Sequence, residues 1–281
     1  MKPSLSTHLF AIDVLGHEHL EAIRSYGFER VEIWGMSPHF DAEDDSRIEE
    51  LAKIISDLDM IASSYHAPIY NRFGSTDYRI YSLSTPDRRW REESMNAVLR
   101  AMEVAGFLGS DLVVVHGPGT LGESGPEAIE HFMQSLLSLH EASSRTNVRV
   151  GLENVMTPDS SVQSLVSILN EFHSDRIGLC VDVGHLNIEG DVIDGLERSR
   201  NWLLSVHISD NHGSSDEHLV PGKGEIDWPR VVEILEMMPR LNHRVLEVQS
   251  WNAGASPSDP VVQECLTALA RCWRTFFKEA G

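Results

Sequence analysis

Six short apolar runs in this chain each end in a residue able to bind a cation or move a proton. They are His66 in YHAP, His116 in VVVHG, Glu153 in GLENV, Asp182 in CVDVGH, His207 in VHISDN and Glu247 in VLEV. Runs of this length and apolarity read as strands buried on both faces. A carboxylate at such a place costs on the order of several kcal/mol unless a cation or strong donors compensate. His185 follows Asp182 after a glycine that lets the backbone turn, and Asp216 and His218 lie two apart in a later loop. Carboxylate oxygens and imidazole nitrogens without a thiolate suit zinc, manganese or a similar divalent ion. Each residue alone has a plainer alternative: a buried core histidine, or an aspartate capping the next helix. That alternative does not account for the whole set.

What must position them is a regular alternation. Strands are expected at Ser4 to Phe10, Arg30 to Gly35 (with Glu32 inside it), and in IASSYHAP, DLVVVHGPG, VRVGLENV, IGLCVDVGH, LLSVHISDN and RVLEVQS. Between them lie segments of helical spacing: HEHLEAIRSYG, IEELAKIISDLDM, Arg88 to Leu108, Pro126 to Ser144, Ser161 to His173, Val192 to Arg200, Pro229 to Met238 and Asp259 to Lys278. No Pro-, Gly- or Ser-rich linker divides the chain. Eight strand–helix alternations predict an α/β protein, a single (β/α)8 TIM barrel over residues 1–281. In such a barrel the strand ends converge on one mouth.

Charge narrows the partners. The 23 basic and 43 acidic residues give a net charge of −20 with histidine neutral. Such a surface repels a polyanion, which lowers the expectation of nucleic-acid binding. Three cysteines, Cys180, Cys265 and Cys272, match neither a disulfide framework nor paired zinc-ligand spacing. No apolar stretch approaches the ~20 residues that span a bilayer, and MKPSLSTHLF lacks a signal-peptide core, so a cytoplasmic protein is expected. Neither a Ser-His-Asp pattern nor a dinucleotide fingerprint stands out, and HGPGTLGESG reads as a plain loop.

The chain resembles the xylose isomerase-like TIM-barrel superfamily, which holds sugar isomerases, sugar epimerases and the endonuclease IV group. The likeness runs from VEIWG through YHAP, VVVHG, GLENV, CVDVGH, VHISDN, DEHLVPGKGEIDW and VLEV; the CVDVGH and VHISDN…HLVPGKGEIDW segments are its specific part. In the isomerases and epimerases, positions matching Glu153, Asp182, His207 and Glu247 hold one divalent ion. In endonuclease IV these positions hold one zinc of three. Those matching His66 and His116 hold a second, with the Glu153 position bridging, and those matching His185, Asp216 and His218 hold the third. The resemblance therefore implies one ion of zinc, manganese, cobalt or magnesium, with up to three accommodated.

The departures favour the sugar branch. Endonuclease IV inserts basic and bulky residues into DNA, notably from the loop after the second strand, which here is the acidic GMSPHFDAEDD. The expected activity is a sugar, sugar phosphate or hydroxy-carbonyl isomerase or epimerase. The ion would stabilise an enediolate while Glu153 and Glu247 exchange the proton as base and acid. His185 would orient substrate oxygens, Lys223 would meet a phosphate or carboxylate, and Trp34 and Trp251 would wall the pocket. The alternative is a trinuclear zinc phosphodiesterase acting on abasic DNA. The substrate, its phosphorylation and any homo-oligomer stay open.

Overall fold

The computed structural model of the protein describes residues 2–72, 76, 78–249 and 256–277. Eight parallel strands close into one barrel in sequence order: β1 Ser4–Ser6, β2 Arg30–Trp34, β3 Ile61–His66, β4 Leu112–His116, β5 Arg149–Glu153, β6 Ile177–Asp182, β7 Leu203–Ile208 and β8 His243–Leu246. The helices are α1 His17–Ser25, α2 Asp45–Asp57, α3 Arg88–Phe107, α4 Pro126–Thr146, α5 Val162–Phe172, α6 Val183–Glu189, α7 Val192–Ser199, α8 Trp228–Glu236 and α9 Pro260–Phe276. The strands are almost wholly buried because helices cover the outside and side chains fill the inside. No described helix is long and apolar enough to cross a membrane.

The two faces of β4 show this division. Val113 and Val115 pack into the large core between strands and helices, whereas Leu112 and Val114 form a small separate cluster with Cys180 and Leu204. With a side-chain period of two, that second set lies inside the barrel, and His116 continues its face to the mouth. Part of the acid surplus starts helices: Asp44, Asp87, Asp191, Asp227 and Asp259 each accept a backbone N–H at a helix N-terminus.

Two elements differ from the pattern read in the sequence. The first strand ends at Ser6, and Thr7–Phe10 forms a 3-10 turn whose start is capped by the Ser6 hydroxyl accepting from His8 N. The sixth strand ends at Asp182, and α6 begins at once, where the run IGLCVDVGH predicts the end of a strand. The cause is local. Asp182 Oδ1 accepts the His185 N–H at 2.7 Å, and a Cβ on Gly184 would stand 2.6 Å from Ser209 Oγ, so only glycine lets this helix start against β7.

Candidate metal centre at the barrel mouth

Register brings the strand-end residues together before any side chain is considered. His116 pairs with Glu153 across β4 and β5, and Asp182 pairs with His207 across β6 and β7. Asn154, just past β5, clamps the end of β6. Its Oδ1 accepts the Asp182 N–H at 2.8 Å and its Nδ2 donates to the Asp182 carbonyl at 3.2 Å.

At the centre is His207, with no exposed surface. Its Nδ1 lies 3.0 Å from Glu153 Oε1 and 2.8 Å from Glu247 Oε2. Glu153, Asp182, His207 and Glu247 each offer one ligand atom, all within 4.8 Å of one another. His66, His116 and Glu153 form a second such group, with His66 Nε2 3.1 Å and His116 Nε2 3.5 Å from Glu153 Oε2. A third cluster sits on the rim, where Asp216 Oδ2 is 3.3 Å from His185 Nε2 and 3.0 Å from His218 Nε2.

The donor set fits a divalent cation on three counts. Glu153, Asp182 and Glu247 are all buried, a concentration of negative charge that is costly unless a cation offsets it. Asp182 Oδ2 is buried without a hydrogen-bond partner among the described residues. The histidines are also oriented as ligands usually are, with one ring nitrogen bonded to the protein and the other left for the ion. His66, His185 and His218 place Nδ1 on the carbonyls of Ala67, Asn154 and Glu247, at 2.8, 2.7 and 3.0 Å, and turn Nε2 toward carboxylates.

Protein charges alone divide these groups. Burial works against a charge on Glu153, yet His207 and His66 hold it well below the usual carboxylate range. Glu247 is likewise held low, against burial, by His207 and His8. Burial raises Asp182 to about 6. Burial opposes a charge on His66, but Glu153 lifts it to about 9, while burial, helped by the charges of His66 and His185, takes neighbouring His116 down to about 4. His218 is raised to about 9, its burial outweighed by Asp216.

Above the cluster lies a cavity of about 380 Å³, walled on its apolar side by Trp34, Ile69, Tyr70 and Met156 and reached by His8, His185, Glu153 and Glu247. Asp182 and His207 lie beneath its lining. Trp34 lines this cavity, stacked on His8 with ring centroids 4.8 Å apart. Trp251 lies outside the described residues. Lys223 departs from expectation: it is exposed and borders a different hollow, beside Glu264 and Arg271 of α9, rather than the mouth. The long loop between β7 and α8 carries it outward, where its charge stays hydrated.

Two residues of the site went unread in the sequence. His8 was placed within a strand; the 3-10 turn instead brings its Nδ1 to 3.4 Å from Glu247 Oε1. Glu32 was noted only as an acid inside a strand, and its Oε2 lies 3.3 Å from His207 Nε2. The signal for Glu32 was available, since VEIW places a carboxylate between residues that otherwise read as barrel core.

The chain belongs to the xylose isomerase-like TIM barrel family, whose profile matches residues 20–272. An uncharacterised protein of Methanocaldococcus jannaschii is 28% identical over 197 residues, 64% of each chain. The match spans half the length of an uncharacterised Sinorhizobium fredii protein. The fructoselysine 3-epimerase of Escherichia coli O157:H7 is 24% identical over 223 residues, 75% of this chain and 79% of that one. Among solved structures, a D-tagatose 3-epimerase-like protein superposes with TM-score 0.75 at 23% identity, covering 96% of this chain and 99% of that one. The IOLI protein with a bound zinc atom gives TM-score 0.76 at 18% identity, covering 99% and 100%.

Proposed function

We propose that this protein is a divalent-metal-dependent isomerase or epimerase of a sugar or related hydroxy-carbonyl compound. One observation carries the reading. Glu153 and Glu247 each turn one oxygen to the same His207 Nδ1, and each keeps the other oxygen on a different side of the mouth. Glu153 Oε2 faces His66 and His116, and Glu247 Oε1 faces His8.

Glu153, Asp182, His207 and Glu247 would hold the ion, which supplies a Lewis acid for the substrate carbonyl and the charge that develops beside it. A carbon acid bound between the two glutamates presents opposite faces to Glu153 Oε2 and Glu247 Oε1. One carboxylate takes the proton next to the carbonyl and the other returns one, which is the two-base requirement of an epimerase. The histidines beside those oxygens stabilise the charged carboxylates between steps. Trp34, Ile69 and Tyr70 close the apolar side and limit water at the reacting carbon. The family and the epimerase relatives support this assignment, as do the cavity's size and its mixed polar and apolar walls. The fitting test is exchange of a substrate C–H with deuterated water in the ion-loaded protein, lost in Glu153→Gln and Glu247→Gln.

A second reading is favoured by the further clusters at His66/His116 and His185/Asp216/His218, which match the donors of a trinuclear zinc phosphodiesterase. The −20 net charge and the acidic segment Asp41–Asp45 after β2 oppose a DNA substrate. Incision of a duplex carrying an abasic site, at low salt, is the result that would favour it.

A further inference from the structure

The chemistry above makes no use of Glu32, a fully buried carboxylate of the cluster. It lies on β2 between Val31 and Ile33, both in the main core, and its side chain has no exposed surface. The β2–β3 pairing shifts register between Val31 and Glu32, from Val31 opposite Ala62 to Glu32 opposite Ser64. Irregularities of this kind re-aim a side chain, and they recur beside active sites. Here the shift brings Ser64 Oγ to donate to Glu32 Oε2 at 2.8 Å. The same oxygen accepts from His207 Nε2 at 3.3 Å, and Glu32 Oε1 is buried without a partner among the described residues. A glutamate kept only to brace the barrel has little reason to leave one oxygen unsatisfied, because that is a cost with no return in the protein alone.

We propose that Glu32 is a positioning residue for the ion: it receives the Nε2–H of His207 and so fixes the imidazole with its Nδ1 lone pair toward Glu153, Asp182 and Glu247. The inference rests on the metal reading and deepens it. Glu32 touches the ligand, not the ion. A carboxylate behind a metal-bound imidazole holds the ring's tautomer and orientation and makes its free nitrogen a better donor. Ser64 aims the carboxylate in turn.

The test measures zinc or manganese affinity by chelator competition in the full-length protein, for wild type, Glu32→Gln, Glu32→Asp and Ser64→Ala. Visible absorption of the cobalt-loaded forms and denaturant unfolding of the stripped forms accompany it. Glu32→Gln should weaken affinity by about 10–100-fold, the usual cost of losing an outer partner. It should shift the cobalt spectrum and leave the stripped protein at least as stable as wild type. Glu32→Asp should recover part of the affinity. Ser64→Ala should lose about fivefold, the worth of one hydrogen bond, which keeps the test open should Glu32→Gln fail to fold. Unchanged affinity in Glu32→Gln and Ser64→Ala, with a less stable stripped protein, would make Glu32 a structural brace and overturn the inference. A wild type that binds no divalent ion would instead overturn the metal reading beneath it.

Discussion

Asp182→Asn separates what this side chain costs the protein from what it gives the ion. Asn fills nearly the same volume and can still accept the His185 N–H at the start of α6, so the cap is retained. What changes is charge. Burial raises the Asp182 carboxyl from an ordinary 3.8 to about 6. At about 1.4 kcal/mol per pH unit, this puts the buried carboxylate's cost near 3 kcal/mol. The sign follows from the direction. An acid whose pKa is raised on folding exacts nothing below its unfolded value, then destabilises progressively as pH rises, fully above about 6. Stripped of metal, Asp182→Asn should therefore unfold with up to about 3 kcal/mol more stability than wild type at pH 7.5, the gain vanishing near pH 4. With an ion at a hundredfold excess over its Kd, wild type should gain about 2.7 kcal/mol and the variant far less. Urea unfolding at several pH values, with chelator and with zinc or manganese, reads all of this. A stripped variant less stable than stripped wild type at pH 7.5, or equal stabilisation of both by metal, would refute the reasoning.

Glu153→Gln and Glu247→Gln should each lower kcat by about 10²–10⁴-fold, the worth of general acid–base catalysis, while elemental analysis still finds bound metal. Ion binding should release protons, because Glu153 holds His66 at about 9 and an ion drawing on Glu153 lowers that value; affinity should then rise between pH 6 and 9. Titration calorimetry in buffers of different ionisation enthalpy checks this, and heats independent of buffer would contradict it. Gly224→Ala should cost about 1–3 kcal/mol in unfolding and reduce activity, since its Cβ would meet the Asn211 carbonyl at 2.3 Å and Asp210 Oδ1 at 2.4 Å. Lys223→Ala, beside it but exposed, should leave kcat and KM unchanged.

The barrel was legible because its strands are short apolar runs and its helices carry a clear 3.6-residue spacing, from IEELAKIISDLDM to the segment at Asp259. The candidate ligands stood out because a charged residue ending an apolar run is a local anomaly that needs no knowledge of its partners. Glu32 and His8 were harder for a different reason. Glu32 lies mid-strand, and its meaning depends on a register shift against β3 and on an imidazole 175 residues away. His8 depends on the chain leaving β1 after three residues, a choice made by one serine cap. The cap reading of Asp182 does not exclude the ligand reading, since Oδ1 caps α6 while Oδ2 has no hydrogen-bond partner among the described residues. Lys223 was misplaced because loop direction is set by tertiary contacts: Asp210, buried beneath the loop, accepts from Gly222 N at 2.7 Å and Trp228 Nε1 at 2.8 Å, and Lys223 follows that anchor outward.

The measurement closest to the central claim is a proton NMR record of ketoses in deuterated water, with the protein loaded in turn with zinc, manganese, cobalt and magnesium. The account predicts loss of one carbon-bound proton signal next to the carbonyl of at least one ketose. That loss should require the ion and should disappear in both Glu153→Gln and Glu247→Gln. An exchange that persists in the stripped protein or in both variants would contradict it, and so would efficient incision of an abasic duplex by a protein that exchanges no sugar proton.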